Sequence, residues 1–91
     1  MDFEWDEAKS DANLAERGFG FDLATLVFDG LTLEEIDRRQ DYGEVRIKAI
    51  GEAAGHVLAV VYTDRDDVRR IISARLANRK ERAQWQSFAS R

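Results

Sequence analysis

Cysteine and proline are both absent from this chain of 91 residues, and histidine occurs once, as His56. Without cysteine there is no disulfide and no thiolate metal site, a usage that fits a reducing cytosol. With a single histidine and scattered carboxylates, no pattern of metal ligands stands out, and no cofactor motif is present. The chain has no internal repeat, low-complexity tract or linker-like stretch. Its longest apolar run, Val57 to Tyr62, is far short of the roughly 20 residues that cross a bilayer. Met1-Asp2-Phe3-Glu4 is acidic where a secretory leader begins basic. These absences predict a soluble, cytoplasmic protein with no membrane contact.

What is present is enough for one core. A hydrophobic content of 44% with nine aromatics supports a single globular domain over residues 1–91. Charge is unevenly spread. Residues 1–45 carry four Lys and Arg against thirteen Asp and Glu, whereas residues 46–91 carry ten against five. An acidic half followed by a basic half suits a phosphate-binding surface on an acidic domain, and also an internally neutralised fold, which is the reading composition alone favours.

Local patterns divide the chain into elements. Asp6 is a candidate N-cap for a helix over Glu7–Arg17 that Gly18 stops, with Ala8, Ala12 and Leu14 or Ala15 as its thin apolar face. Phe3 and Trp5 add core area just ahead of it. A second helix is expected over Phe21–Phe28, turning Leu23, Leu26 and Val27 inward, and the acidic stretch from Gly30 to Gly43 reads as an exposed connection. Three strands follow at Glu44–Ile50, Val57–Thr63 and Val68–Arg75, joined by short turns into an antiparallel meander. Asn78 and Glu81 form a capping box for a final helix to about Ala89 that buries Ala83, Trp85 and Phe88. The expected class is α+β: two N-terminal helices, a three-stranded antiparallel sheet and a C-terminal helix, with the helices on one sheet face. Alternation in the third strand puts Arg69, Ile71, Ser73 and Arg75 on one side, so the open face would collect Arg46, Lys48, Ser73 and Arg75.

Several of these residues recur as a pattern. Phe3, Trp5, Asp6, Lys9 and Asn13 fit F-x-W-D-x-x-K-x-x-x-N; Glu44, Arg46 and Gly51 fit E-x-R…G; Val61-Tyr62-Thr63 with Arg65 fits V-Y-T-x-R. Arg70 to Arg75, Ala77 and Glu81-Arg82 fit R-I-I-S-A-R-x-A-x-x-x-E-R. In this order and spacing the chain resembles the BrnT toxins, the ribonuclease half of BrnT/BrnA type II toxin–antitoxin pairs. The resemblance implies a RelE-like fold, RNA cleavage that inhibits translation, and a BrnA-like ribbon-helix-helix antitoxin through which alone operator DNA is bound. Two departures are visible: Glu16-Arg17 stands where the family commonly has Lys-His, and Trp85 where it has tyrosine.

Cleavage of RNA through its own 2′-hydroxyl needs a base, a proton for the leaving 5′-oxygen, and cations for the phosphoryl oxygens. The expected roles are Arg46, Arg65 and Arg75 on the phosphate, Lys9 assisting, and Glu44 or Tyr62 handling protons, without a metal. Lys48, Ser73, Arg79 and Arg82 are the expected further RNA contacts. Each has a plainer role beside this one: ion pairs for the arginines, a solvated helix face for Lys9 and for Arg79, Lys80 and Arg82, and core packing with a rim hydroxyl for Tyr62. His56 reads as a solvated turn residue, and Phe3, Trp5, Phe28, Trp85 and Phe88 read as core. The alternative function is a weak or inactive binding module, a co-repressor or scaffold for a DNA-binding partner, which the replaced histidine and the acidic charge favour. Direct DNA binding lacks any helix-turn-helix or basic-arm pattern.

Overall fold

A computed structural model describes residues 1–91. Its elements run β1 (Asp2–Trp5), α1 (Glu7–Arg17), α2 (Phe21–Ala24), a 3-10 turn (Thr25–Asp29), β2 (Thr32–Ile36), β3 (Ile47–Ala53), β4 (His56–Arg65), β5 (Val68–Leu76) and α3 (Arg79–Ala89). The fold is α+β, but the expected three-stranded antiparallel sheet is a five-stranded mixed one, ordered β1-β5-β4-β3-β2. The two unforeseen strands are its edges. β1 pairs in parallel with Val68–Ile71, and β2 pairs antiparallel with β3, Thr32 opposite Gly51. β2 lies inside the acidic stretch that reads as a loop. Its two glutamates are accommodated because they face opposite sides of the sheet and each finds a partner: the Tyr62 hydroxyl donates to Glu34 at 2.8 Å, and Lys48 lies 2.9 Å from Glu35.

Where signals are local the elements fall as expected. The Asp6 carboxylate accepts from the N–H groups of Ala8 and Lys9, and Gly18 ends α1 in the left-handed region at φ 87°. Asn78 and Glu81 form the reciprocal capping box of α3. The first meander strand is shifted to Ile47–Ala53, since the Val45 and Arg46 carbonyls accept instead from the Thr63 hydroxyl and the Asp37 N–H. The expected 21–28 helix is one short α-turn tightening into 3-10 geometry, which leaves Leu26 exposed.

α1 buries a polar face. Ser10 and Asn13 are its buried residues, whereas Ala8, Ala12, Leu14 and Ala15 are exposed. Ser10 Oγ accepts from the Phe21 N–H at 2.9 Å, and Asn13 Nδ2 donates to the Phe19 carbonyl at 2.9 Å, so the helix pins the chain entering α2 by hydrogen bonds.

The helices cover both sheet faces, not one. On the first, Phe21, Ala24 and Val27 pack on Ala49, Leu58, Val60, Tyr62, Ile71 and Ala74. On the second, α3 lies against β3: Trp85 is buried and donates from Nε1 to Glu52 at 3.0 Å, Ile50 is buried, and Ala83 is exposed. Gly51 is where β3 touches the first layer. A Cβ there would sit 3.1 Å from Val27 Cβ and 3.3 Å from the Leu31 carbonyl oxygen. Gly51→Ala is therefore expected to destabilise by about 1–3 kcal/mol through overpacking, read as a lower urea midpoint at unchanged slope.

Candidate functional site

The register of β5 decides which arginines share a surface. Val61 pairs with Ser73 but Tyr62 pairs with Ile71, so Ile72 is an extra residue, a β-bulge. The bulge breaks the alternation expected for this strand. Ahead of it Arg69 and Ile71 lie on the first face, with the Arg69 guanidinium 3.9 Å from the Tyr62 ring centroid and Ile71 in the core. Beyond it Ser73 and Arg75 lie on the second face, where Lys48 and α3 are.

Arg75 and Lys48 meet at Glu81. Its side chain is only 4% exposed, and it accepts from Arg75 Nη1 at 2.6 Å and Nη2 at 3.0 Å, from Lys48 Nζ at 2.8 Å and from the Asn78 N–H at 2.9 Å. The Arg75 guanidinium, with help from Lys48 and the cap N–H, holds this carboxyl at about 2 despite its burial. Burial works to lower the Lys48 pKa, but its bonds to Glu81 and Glu35 outweigh that and raise it, so the ammonium stays charged. Glu81 holds Arg75 by the end of its guanidinium, through both Nη atoms, and Nη1 also donates to the Leu76 carbonyl at 3.3 Å. The Nε–H and the second Nη2–H, which form the side-on fork, carry no bond within the protein. That fork fits two oxygens of one phosphate.

These groups line a groove of about 270 Å³ over β3, β4 and β5, closed at one end by the chain leaving β2. Lys48, Ser73 and Arg75 form its wall, Ala59 and Val61 its floor, and Glu35, Asp37, Arg38 and Arg39 its rim. Asp37 is a rigid part of the rim: its carboxylate, 5% exposed, takes the Arg39 guanidinium at 2.8 and 2.7 Å and the Tyr42 hydroxyl at 3.3 Å. Arg39 holds the Asp37 carboxyl at about 2. Arg38 makes no ion pair and is a free cation at the mouth. Ser73 and Arg75 also line a cleft of about 330 Å³ between α1 and β5, where Lys9 and Arg17 are. Groove and cleft therefore meet over Ser73 and Arg75.

Of the residues expected from sequence, the structure brings together Lys48, Ser73 and Arg75, with Lys9 across the adjoining cleft. Arg46, Arg65 and Glu44 form a separate network that does not line the groove. Arg65 lies 2.8 Å and Arg46 3.2 Å from the Glu44 carboxylate, and Arg46 stacks 3.9 Å from the Tyr42 centroid. Arg65, then Arg46, lower the Glu44 pKa. Tyr62 is on the opposite face, buried against Phe28, its hydroxyl bonded to Glu34; burial and that carboxylate push its pKa well up. Arg79 and Arg82 sit on the first turn of α3, where the helix dipole disfavours cations, and neither has a carboxylate partner; Arg82 donates to the Ala77 carbonyl. His56 is exposed at the β3–β4 hairpin.

Sequence reasoning missed Glu81 as more than a cap, and missed Glu35, Asp37, Arg38 and Arg39 altogether. The 34–39 run, Glu-Glu-Ile-Asp-Arg-Arg, has no alternation to mark a strand, and its only signal is the cluster of both charge signs. The family model for the ribonuclease toxin, BrnT, of type II toxin–antitoxin systems matches residues 5–81, which span every residue of the groove wall and rim. No curated protein matches the chain.

Proposed function

The chain belongs to the BrnT family of ribonuclease toxins of type II toxin–antitoxin systems, and from that premise we propose that RNA is cleaved in the groove of Lys48, Ser73 and Arg75, inside the cytoplasm. The observation that carries this reading is the free side-on fork of Arg75, held in place by a buried carboxylate that also anchors Lys48. A guanidinium and an ammonium fixed before substrate arrives lose no orientation energy when charge builds on the phosphate. Lys9, at the far side of the adjoining cleft, and Arg38, at the mouth, lie along the path of a strand crossing Arg75. Arg79 and Arg82 extend the cationic surface on α3. Stabilisation of the phosphoryl oxygens is assigned to these cations, in a metal-independent cleavage. The antitoxin of this type II pair is BrnA-like, with a ribbon-helix-helix part that binds operator DNA, and it neutralises the toxin by covering the groove.

The chain's −4 net charge does not oppose this reading. Most carboxylates of the acidic half lie away from the groove, and those within it, Glu35 and Asp37, are each paired with a cation. A second reading, a binding module without catalysis, rests on Arg17 standing where relatives carry histidine. Arg17 lines the cleft and donates to Asn13 Oδ1 at 3.0 Å, which preserves a cation there but not a group that exchanges protons near neutrality. Expression from a tight promoter without antitoxin separates the two. Arrested growth with fragmented RNA, both relieved by Arg75→Ala, is the expected result; normal growth with folded protein and intact RNA favours the binding module. Arrest that persists in Arg75→Ala would place the site elsewhere.

A further inference from the structure

We infer that Glu35 is the general base that takes the proton from the attacking 2′-hydroxyl; this rests on the groove being the cleavage site. The carboxylates in and behind the groove differ in what they are free to do. Asp37 is 5% exposed, with both oxygens in the Arg39 fork and a further bond from Tyr42. Glu81 is 4% exposed, and each of its oxygens already accepts two hydrogen bonds. Neither has an accessible lone pair for substrate. Glu35 is 66% exposed and lines the groove, and a single neighbour, Lys48 Nζ at 2.9 Å from Oε1, engages it. No hydrogen bond within the protein occupies its other oxygen.

The remaining polar groups there are unsuited to the task. Lys48 is held protonated by two carboxylates, guanidiniums do not give up a proton in water, and the Ser73 hydroxyl has no base beside it. The charged groups facing Glu35 are Lys48 from β3, Arg75 from β5, Glu81 behind them on α3, Asp37, Arg38 and Arg39 beyond its own strand, and Arg91 in the neighbouring cleft of α3. Cations predominate among the exposed ones, which draws the phosphate toward this end of the groove. Edge placement also matters. β2 is paired only with β3, so Glu35 stands at the rim, where a nucleotide's ribose can reach it while its phosphate lies on Arg75 and Lys48.

The 2′-hydroxyl proton passes to the Glu35 carboxylate as the 2′-oxygen bonds to phosphorus. The bond from phosphorus to the 5′-oxygen breaks, and that oxygen takes a proton from a solvent water. The hydroxide so formed is neutralised by the proton on Glu35. The products are a 2′,3′-cyclic phosphate and a 5′-hydroxyl end.

Glu35→Gln keeps an oxygen for Lys48 but removes the proton acceptor. With purified protein and a 5′-labelled messenger transcript, the variant is expected to cleave at least about 100-fold more slowly. Its affinity for a fluorescent 2′-O-methyl RNA of random sequence, which cannot be cleaved, is expected to be no weaker than the wild type's, since a negative charge beside the phosphate is removed. The wild-type rate is expected to fall on the acid side and the variant to lack that fall, while Glu35→Asp, a shorter carboxylate, is expected to recover part of the rate. Wild-type cleavage by Glu35→Gln, or a slow variant that keeps the wild-type pH profile or binds the probe more weakly, overturns the assignment while leaving the ribonuclease reading intact. A wild type that binds the probe and leaves the transcript whole overturns both.

Discussion

Glu81→Gln is expected to lower stability at neutral pH by about 3 kcal/mol, with a fall in melting temperature of more than about 10 °C. The carboxylate is almost fully buried and satisfies Lys48, Arg75 and the N–H of Asn78, the N-cap of α3, at once. An amide keeps the shape, but it offers one acceptor oxygen and no charge, so two half-buried cations lose their counter-ion. The pH dependence has a defined sign. The folded-state pKa is about 2 against an ordinary 4.5, so folding retains its stabilisation above about 4.5 and loses it as pH falls toward 2. Denaturation curves at pH 7 and pH 3 are the check: the wild type should lose much of its margin over the variant at the lower pH. Equal stability at pH 7 would mean that Glu81 holds neither cation.

Arg75→Ala is expected to reduce RNA cleavage by about 10²–10³-fold with little change in fold. The loss comes from one place. Glu81 grips the end of the guanidinium and leaves its side-on edge free, so in the proposed site one residue would bridge the protein's buried anion and the substrate's anion. Arg75→Lys restores the charge but not this bridging, because an ammonium has no planar fork to offer both ways. Recovery of only a minor part of the rate by lysine is therefore the discriminating outcome. Full recovery would show that charge alone suffices at this position. Because Lys48 keeps Glu81 company in either variant, melting temperature should move less than it does in Glu81→Gln.

The parts of this protein that were readable in one dimension are those whose partners are close in sequence. The Asp6 cap and the Gly18 stop of α1, the Asn78–Glu81 box of α3 and the two hairpins that order β3, β4 and β5 each involve groups a few residues apart. β1 and β2 escaped because their only reason for being strands is a distant neighbour. Asp2–Trp5 pairs with residues some 66 positions later, as Asp2 opposite Val68 shows. Thr32–Ile36 carries a Glu-Glu pair of low strand propensity, tolerated at a sheet edge where each side chain meets a different partner. The buried face of α1 was misread for a related reason. Apolar periodicity points to Ala8, Ala12 and Leu14, yet what the neighbouring chain needs there is acceptors and donors for the Phe21 N–H and the Phe19 carbonyl.

Sequence alone was enough for the family, through the ordered motifs over the stretch 5–81 that the family model matches, and for a list of candidate residues. It also carried the charge asymmetry that makes a phosphate site plausible on an acidic chain. Tertiary structure alone decided which candidates meet. One unpaired residue, Ile72, flips side-chain alternation in β5, sending Arg69 to the aromatic core and Ser73 and Arg75 to the groove. A buried carboxylate, legible only as a helix cap, holds Arg75 and Lys48 side by side across 33 positions between Lys48 and Glu81. The division has a physical cause: caps and turns are closed by hydrogen bonds within one segment, whereas register and ion pairing across a sheet exist only once distant segments have packed.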